Sequence, residues 1–573
     1  MNFKEVAELF EKLDKIKGRL EMTKLFAHIL NRASVEEVGP LCYFALGTLN
    51  PQHIGTKFNF AQKNIIKMIA EKVGRTELEI KEKFNEQGDL GSIVELYEWE
   101  EGADLTVMQV YNALVEIEKI AGTGSQDKKS VKLQELLLEL DVVSAKYVIR
   151  IVLGTVRLGF FDMTLIDALS WMYAGDKSVR DTIENAYSVC ADIGYIAQVL
   201  KRDGLEAVGK MKMHVGIPIR PAAADRLPDI KAIMEKLGPC VAQPKLDGFR
   251  LQIHLDKTQD MPLIKFFSRN LSDMSDMFPE FVAACKTLPV DSFIADGEAM
   301  VFDPNTKLFL SFQETVKRRR KHGIEQMVSD LPLQLILFDV LYCNGINLLP
   351  STHTERRVIL EKVLKGTDGT LQCIDERKIN TVKELENYFI QEIAAGLEGL
   401  VIKKPNAPYC PGKRNANWIK LKYQAADKLN DTIDVVVLGY YPGKGKRSQF
   451  GIGAFLVGIF NPRTESYETV AKVGTGLTDV QWVEFKKRCD ALKVSSKPKT
   501  VHCDKSLEPM VWVEPSMVCE VLADNVTLSP VHTAGKTDTQ LGFALRFPRF
   551  VNYRDDKNSY QATTVAELEK MRG

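Results

Sequence analysis

Residues 243 to 250 read Gln243-Pro-Lys-Leu-Asp-Gly-Phe-Arg250, a Lys-x-Asp-Gly-x-Arg pattern with alternating apolar and polar residues directly behind it. A lysine in such a turn is a candidate nucleophile, and a nucleotide is what it would take. Attack on an α-phosphate needs a neutral amine, and holding a lysine of ordinary pKa, about 10.4, neutral at pH 7 costs about 4.6 kcal/mol. Burial or neighbouring cations must offset that cost. Lys420 and Lys422, on one face of Trp418-Ile-Lys-Leu-Lys422, are such cations and also suit phosphate charge. Gly248 lets the backbone turn tightly beside a ligand, and Arg250 offers a fork of donors to ribose or phosphate. The pattern arises by chance in a chain this long about once in a hundred, so a surface turn with an ordinary salt bridge is its bland alternative.

The elements around this stretch fall into three regions. Residues 1–215 are helical: Val6, Leu9, Phe10, Leu13 and Ile16 recur at helix spacing, as do Leu133, Leu136, Leu137 and Leu140. Within them, Gly122-Thr-Gly-Ser-Gln-Asp-Lys-Lys129 is a glycine-rich turn entering a helix, where backbone amides with Lys128 and Lys129 suit a phosphate. Arg157-Leu-Gly159 is a second candidate nucleic-acid contact, and a solvated turn is the competing reading of both. Gly216-Ile-Pro-Ile-Arg-Pro221 is a stiff linker. Residues 216–425 are a mixed α+β domain, with strands at Phe249–Leu255, Leu263–Phe267, Phe293–Phe302, Leu333–Leu341, Leu397–Lys403 and Trp418–Tyr423 and helices at Thr354–Leu364 and Val382–Ala395. In the first strand Phe249, Leu251, Ile253 and Leu255 alternate with polar residues, the pattern of a half-buried strand. Residues 426–573 carry about five short strands punctuated by glycine and proline, for which an OB-fold barrel is the economical reading, and end in a short helix, Thr563–Arg572.

Lysine plus arginine and aspartate plus glutamate both number 76, so a polyanion must be bound by a local basic surface. The ten cysteines include no Cys-x-x-Cys pair and no zinc pattern with histidine, which fits reduced thiols. No signal-peptide core and no membrane-length apolar run occurs, so a cytoplasmic protein, nucleoid-associated or nuclear, without membrane contact is expected.

Further segments follow the lysine turn in order: Ser268-Arg-Asn270, Ala295-Asp-Gly-Glu298, Phe338-Asp339, Glu398-Gly-Leu-Val-Ile-Lys403, Trp418-Ile-Lys-Leu-Lys422 and Leu545-Arg-Phe-Pro-Arg549. In type and order this series resembles that of the ATP-dependent DNA ligases, and the likeness extends to the helical region through Gly-Ser-Gln-Asp-Lys-Lys and Val156-Arg-Leu-Gly159. It covers nearly the whole chain and resembles the archaeal-type replicative ligases most. The resemblance implies an all-α DNA-binding domain, an adenylation domain and an OB-fold domain, acting as a monomer on nicked duplex DNA in replication, repair and recombination. It implies a lysyl-AMP at Lys245, transfer of AMP to the 5′-phosphate of a nick, and attack by the 3′-hydroxyl. On the same footing, Phe338 stacks on adenine, where core packing is the alternative. Glu298 and Glu398 lie near ribose and Mg²⁺, or Mn²⁺ in its place, though solvated carboxylates are ordinary at strand ends. Arg250, Arg269, Arg414 and Lys420 contact ribose or phosphate, and Asp247 orients the lysine or a metal-bound water. Arg546 and Arg549 act on the pyrophosphate in the first step. Lys444, Lys446 and Arg447, in a glycine-rich hairpin, are DNA-backbone candidates or a solvated loop. Lys317-Arg-Arg-Arg-Lys321 reads as a DNA phosphate contact or a solvated face before a nuclear address.

Two departures stand out. Many family members carry glutamate two residues before the lysine, and here Gln243 stands there, which accepts and also donates and so relaxes the expected stringency for ATP. The clamp-binding peptide of archaeal-type relatives has no counterpart in Tyr97-Glu-Trp-Glu-Glu-Gly102, and Gln62-Lys-Asn-Ile-Ile is a poor substitute, so sliding-clamp binding is not asserted. An RNA ligase or mRNA-capping guanylyltransferase shares the lysine turn but not the large helical region or the final series. A non-catalytic nucleotide-binding module is disfavoured by the complete set of lysines and glutamates. A P-loop is excluded, because Pro530 occupies the first glycine position before Gly535-Lys-Thr537.

Overall fold

The structure is a computed structural model of the chain. It describes all residues except 17, 101, 228, 304–305, 307, 311–313, 316, 319–322, 368, 396, 423–431, 444 and 572–573, and of residues 308, 445, 446 and 448 it describes the backbone alone. Packing divides the chain into two compact units, and both draw on the helical region. One comprises Met1–Asn59, Asp104–Ser125 and Phe160–Tyr423, the other Phe60–Ala103, Gln126–Gly159 and Gln424–Gly573. The boundary expected at 425/426 lies outside the described residues.

In the first unit the helices Phe3–Lys15, Arg19–Arg32, Val35–Leu46, Val107–Lys119, Asp162–Ala174, Arg180–Val189 and Ile193–Gly209 form the all-α part. Val6, Leu9, Phe10 and Leu13 are buried, as their spacing requires. Reciprocal capping boxes, Ser34 with Glu37 and Thr106 with Gln109, start two of these helices by satisfying amides that lack intrahelical partners. Phe3 meets Phe44 edge-on at 5.7 Å and Phe26 packs on Phe160 at 5.0 Å.

Two sheets complete this unit. The five-stranded sheet runs in the order Ala223–Arg226, Arg414–Lys422, Gly399–Lys403, Cys240–Pro244, Arg377–Ile379. The seven-stranded sheet has the path Leu263–Ser268, Phe249–Asp256, Ser292–Asp303, Leu333–Cys343, Ile346–Asn347, with Leu308–Phe309 and Leu371–Cys373 paired at its side. Helices His353–Leu364 and Val382–Ala394 stand where the helix-period runs lie, each opened by a Thr/Glu capping box. The Phe249–Asp256 strand departs from expectation, because Gln252 and His254 are buried along with Leu251, Ile253 and Leu255. The stretch read as a linker covers them. Gly216 donates its backbone N–H to His254 Nδ1 (3.1 Å) and Ile219 donates to Gln252 Oε1 (2.8 Å). The His254 proton therefore sits on Nε2, 2.9 Å from Gln252 Oε1, and burial pushes the imidazole pKa down to about 3.

The second unit is β-rich beyond its helices Gln62–Val73, Glu77–Gln87, Val142–Val152 and most of Ser125–Leu138. Its eight-stranded sheet includes Ile433–Tyr441, Ala454–Asn461, Ser466–Val473, Val518–Leu522 and Arg549–Tyr553, and Asn525–Ser529 pairs with Gly542–Arg546. The run Val511–Leu522 is two strands, interrupted at Glu514-Pro515 where proline withholds a ladder donor. The helix Asp479–Ala491 is absent from the sequence reading, yet Trp482, Phe485 and Cys489 at helix spacing are buried against Phe455 and Phe550.

Candidate active site

Strand register assembles the site in the first unit. Gln243 lies opposite Val401 and Val401 opposite Lys420, so three neighbouring strands turn one residue each to the same face. The period of two adds Trp418 and Lys422 beside Lys420, and Lys403 beside Val401. On the facing sheet Arg250 and Glu298 are register partners. The lysine turn passes between the sheets, tied by Lys245 N–H to Gly399 O (2.8 Å) and Glu398 N–H to Lys245 O (3.3 Å). Gly248 is required here, since a Cβ on it would lie 2.2 Å from the Ala299 carbonyl oxygen. The result is a cavity of about 500 Å³ lined by Gln243–Arg250, Ser268–Asn270, Glu298, Phe338, Lys403, Arg414, Trp418, Lys420 and Lys422, among others. That volume suits a nucleotide-sized ligand.

Lys245 Nζ pairs with the Glu398 carboxylate, which Lys422 Nζ also reaches at 3.1 Å. Burial works to raise the Glu398 carboxyl, but hydrogen bonds and charge from these lysines outweigh it and hold it below the ordinary value. Lys420 is lowered by burial and by the charges of Arg414, Lys422, Arg269 and Lys245 around it. Arg414 and Arg269 themselves are exposed at the mouth. This cationic ring favours an anionic ligand.

Glu298 is the opposite case. It lies deep in the cleft while keeping some solvent contact. Burial raises its carboxyl, and Arg250, Lys245 and the Gly248 N–H only partly counter this, leaving it at about 7. The reason is that its neighbouring cations are committed elsewhere. Arg250 Nη2 donates to Asp296 Oδ2 (2.6 Å) and Tyr409 Oη (3.2 Å), and its Nη1 donates to Ala222 O (2.9 Å). Of the Arg250 guanidinium nitrogens, Nε alone is buried without a hydrogen-bond partner among the described residues, so one donor of the expected fork is uncommitted. Asp247 lies on the lysine turn and adds to the repulsion at Glu298.

Phe338 lines the cavity, edge-on to Trp418 at 6.1 Å. Arg250 lies 5.2 Å from its ring centroid, and Lys403 Nζ lies 5.2 Å from it and 4.3 Å from that of Trp418. Lys403 donates to Phe338 O (2.9 Å), and burial brings its ammonium down to about 8 despite the charge of Asp339. Asp339 in turn accepts both arms of Arg356 (2.7 and 3.1 Å). Lys403 lines the cavity, and Tyr409, Glu376, His353 and Arg356 support its lining from behind, through Arg250, Gln243, Glu376 and Asp339; the sequence reading singled out none of them. Their only sequence signal is that Lys403 ends the run beginning at Glu398.

The remaining candidates belong mostly to the second unit. Lys128 is exposed, but Lys129 is buried. Arg157 adopts a positive φ of 68° and turns inward, donating to Gly88 O with Nε 3.8 Å from Asp89, which also pairs with Arg150. Arg447 donates to Gly453 O (3.0 Å) and Gly474 O (2.6 Å), stitching its hairpin from inside. Lys444 and the Lys446 side chain lie outside the described residues. Arg546 and Arg549 are exposed, and Arg549 pairs with Asp524 at 2.5 Å. In the first unit Arg318 is buried against Glu280, unlike a solvated face, while residues 319–321 lie outside the described set.

Glu298 and Glu398 offer hard carboxylate oxygens from two facing sheets, the donor type that Mg²⁺ takes together with phosphate oxygens and water. They fit the ion as one or two protein ligands, not as a closed cage. Among the described residues no group of three or more His, Cys, Asp or Glu side chains could hold a metal.

A lysine amine set in a cation-rimmed nucleotide-sized cleft, with an aromatic ring beside it, is suited to covalent nucleotidyl transfer. Comparison with known proteins gives the family. The ATP dependent DNA ligase domain matches residues 221–422, the DNA ligase N terminus residues 2–170, and the ATP dependent DNA ligase C terminal region residues 448–557. A probable DNA ligase of Dictyoglomus turgidum is 42% identical over 100% of this chain and 98% of its own length. DNA ligase 1 of Methanosarcina acetivorans is 36% identical over 100% of this chain and 99% of its own. The solved structure titled Pmar-Lig_PreS3 aligns with a TM-score of 0.55 at 15% identity, covering 96% of this chain and 99% of that one, a likeness of fold alone. The chain belongs to the ATP-dependent DNA ligases. Its helical N-terminal part, mixed α/β adenylation part and β-rich C-terminal part follow the family's order.

Proposed function

We propose that Lys245 takes AMP from ATP, passes it to the 5′-phosphate of a nick in duplex DNA, and so lets the 3′-hydroxyl close the strand with release of AMP. The observation that carries this reading is the position of Lys245 Nζ, inside the cleft, held in place by the Glu398 carboxylate and close to the charges of Lys420 and Lys422, with its proton given up to solvent before attack. In the first step the Lys245 nitrogen bonds to the α-phosphorus and pyrophosphate leaves. Phe338 and Gln243 hold the base. Arg250, through Nε, and Glu298 serve the ribose, while Arg269, Arg414, Lys420 and Lys422 offset phosphate charge. Asp247 orients the lysine, and Arg546 and Arg549 are the pyrophosphate contacts. Glu298 and Glu398 would hold Mg²⁺ or Mn²⁺, which when bound neutralises phosphate charge.

The functional division we adopt is 1–215 for DNA binding, 216–425 for adenylation and 426–573 for the OB-fold. Exposed Lys128 is the phosphate contact the geometry favours, with Lys446 a further candidate. Lys129, Arg157 and Arg447 act as supports for the DNA-facing backbone. The chain works as a monomer where the DNA is, in the cytoplasm. Among the described residues no helix is long and apolar enough to cross a membrane.

The test is to mix the protein with Mg²⁺ and α-labelled ATP, GTP or NAD, look for label that survives denaturation, and chase with nicked DNA or nicked RNA. The expected result is a stable adduct from ATP, discharged by nicked DNA and abolished in Lys245→Ala. Label from GTP alone, discharge only on RNA, or an adduct that persists in Lys245→Ala would refute the reading.

A further inference from the structure

Gln243 is 1% exposed and lines the cleft from the strand that leads into Lys245. Its Nε2 donates to Glu376 Oε2 at 2.7 Å, and the same oxygen meets His353 Nε2 at 2.7 Å. Glu376 comes from the segment between the Leu371–Cys373 and Arg377–Ile379 strands. His353 is the first residue of its helix, pinned by a backbone hydrogen bond to Ala407 O at 3.0 Å and by the Thr352 capping box. The backbone of His353 is thus fixed, its imidazole is buried, and it holds Glu376 under Gln243.

The chemistry of these partners decides which way the amide points. Burial works to raise the Glu376 carboxyl, but His353, Lys403 and Gln243 together hold it below the ordinary carboxylate value. An ionised carboxylate accepts and never donates, so it takes the NH₂ end of the amide. Gln243 Oε1 is left with no hydrogen-bond partner among the described residues.

We propose that Glu376, positioned by His353, sets the base specificity of the cleft by locking Gln243 with its amide oxygen as the sole group offered to the purine 6-position. The amide would otherwise be ambiguous, able to accept from a 6-amino group or donate to a 6-oxo group. Locked, it accepts from a 6-aminopurine and sets oxygen against oxygen with a 6-oxopurine. Glu376 is thus a positioning residue, and the ligand class selected is the 6-aminopurine nucleoside triphosphates. The proposal rests on the reading of Lys245 as the nucleophile of this cleft.

ATP and ITP are the probes, because neither carries a 2-amino group and they differ around the 6-position. The full chain is incubated with each, labelled at the α-phosphate, and kcat/KM for adduct formation is compared. The wild type is expected to favour ATP. Glu376→Ala frees the amide to turn, and the ATP-to-ITP ratio is expected to fall at least about tenfold, chiefly through a gain for ITP. The exchanged pair Gln243→Glu with Glu376→Gln rebuilds the same pattern, with the new amide donating to the new carboxylate and an acceptor facing the base, so the ratio should return to within about threefold of wild type. A purely structural role would lower both nucleotides alike. An unchanged ratio in Glu376→Ala, an equal loss for both nucleotides, or no recovery in the exchanged pair overturns the proposal. The ratio of Kd values for ATP and ITP, titrated on Lys245→Ala with and without Glu376→Ala, reads the same preference without any transfer. Failure of the Lys245 reading appears as no adduct from any nucleotide in the wild type, whereas failure of this proposal appears as an unmoved preference.

Discussion

Replacing Glu298 with glutamine should make the protein more stable at pH 8 and leave its stability nearly unchanged at pH 5. The carboxyl moves from an ordinary 4.5 to about 7 because burial penalises its charge while Arg250 is spent on Asp296 and Lys245 on Glu398. Between those two pH values the folded protein holds a proton that the unfolded chain has lost. Stability therefore falls as pH rises through this window, and the loss is complete above about pH 7. At 1.36 kcal/mol per tenfold, the full loss is about 3 kcal/mol. Glutamine is neutral throughout and matches the shape, so the variant escapes that loss. For a unit of about 345 residues, with about 2.1 cal/mol/K of unfolding entropy per residue, this translates to a melting shift on the order of 4–5 °C. Near-ultraviolet circular dichroism melts of both proteins at pH 5, 6, 7 and 8, in EDTA and without nucleotide, would measure it. The difference should be small at pH 5, grow through pH 6 and level off above pH 7, while the variant loses most of its lysyl-AMP formation, a stability gained at the expense of function. A difference of equal size at every pH, or a less stable variant at pH 8, would refute the account of Glu298 as a charge buried without a committed partner.

Phe338→Ala should weaken binding of ATP and GTP alike by roughly 10- to 100-fold, because stacking is blind to the base edge, and equilibrium titration on Lys245→Ala background protein would show it. Gly248→Ala should destabilise the first unit by about 1–3 kcal/mol in denaturant unfolding, since its Cβ would meet the Ala299 carbonyl oxygen at 2.2 Å. Lys128→Ala should reduce the slope of log K against log salt for duplex DNA by about 1 with no change in melting. Arg157→Ala should instead lower stability by about 1–3 kcal/mol, because it strips the half-buried Gly88 carbonyl and the buried Asp89 of a partner.

Much of the site is legible in the chain because it is local. The turn from Lys245 to Arg250 carries the proposed nucleophile and its obligatory glycine within six residues, and Trp418, Lys420 and Lys422 share a face through the two-residue period of a strand. The strands and helices around them follow their hydrophobic periods for the same reason. Where a face is covered from afar, the period misleads. Gln252 and His254 read as the polar face of a half-buried strand, yet the Gly216–Ile219 backbone buries them. Adjacent lysines part company in the same way: Lys128 is solvated and Lys129 buried, because successive helical residues point about 100° apart and only packing says which direction is inside.

The amino-acid order by itself pointed to Lys245 as the proposed nucleophile, to the cations beside it and to the three kinds of region that carry them, since these depend on residue type and short spacing. Tertiary structure alone decided how those groups are charged and aimed. Asp296 reaches Arg250 and Glu376 reaches Gln243 from segments distant in sequence, Glu298 is left without a committed cation, and Arg157 is drawn inward by Gly88 and Asp89. A side chain's charge and orientation depend on the solvent it loses and the partners it meets, and both are supplied by residues far away in the chain.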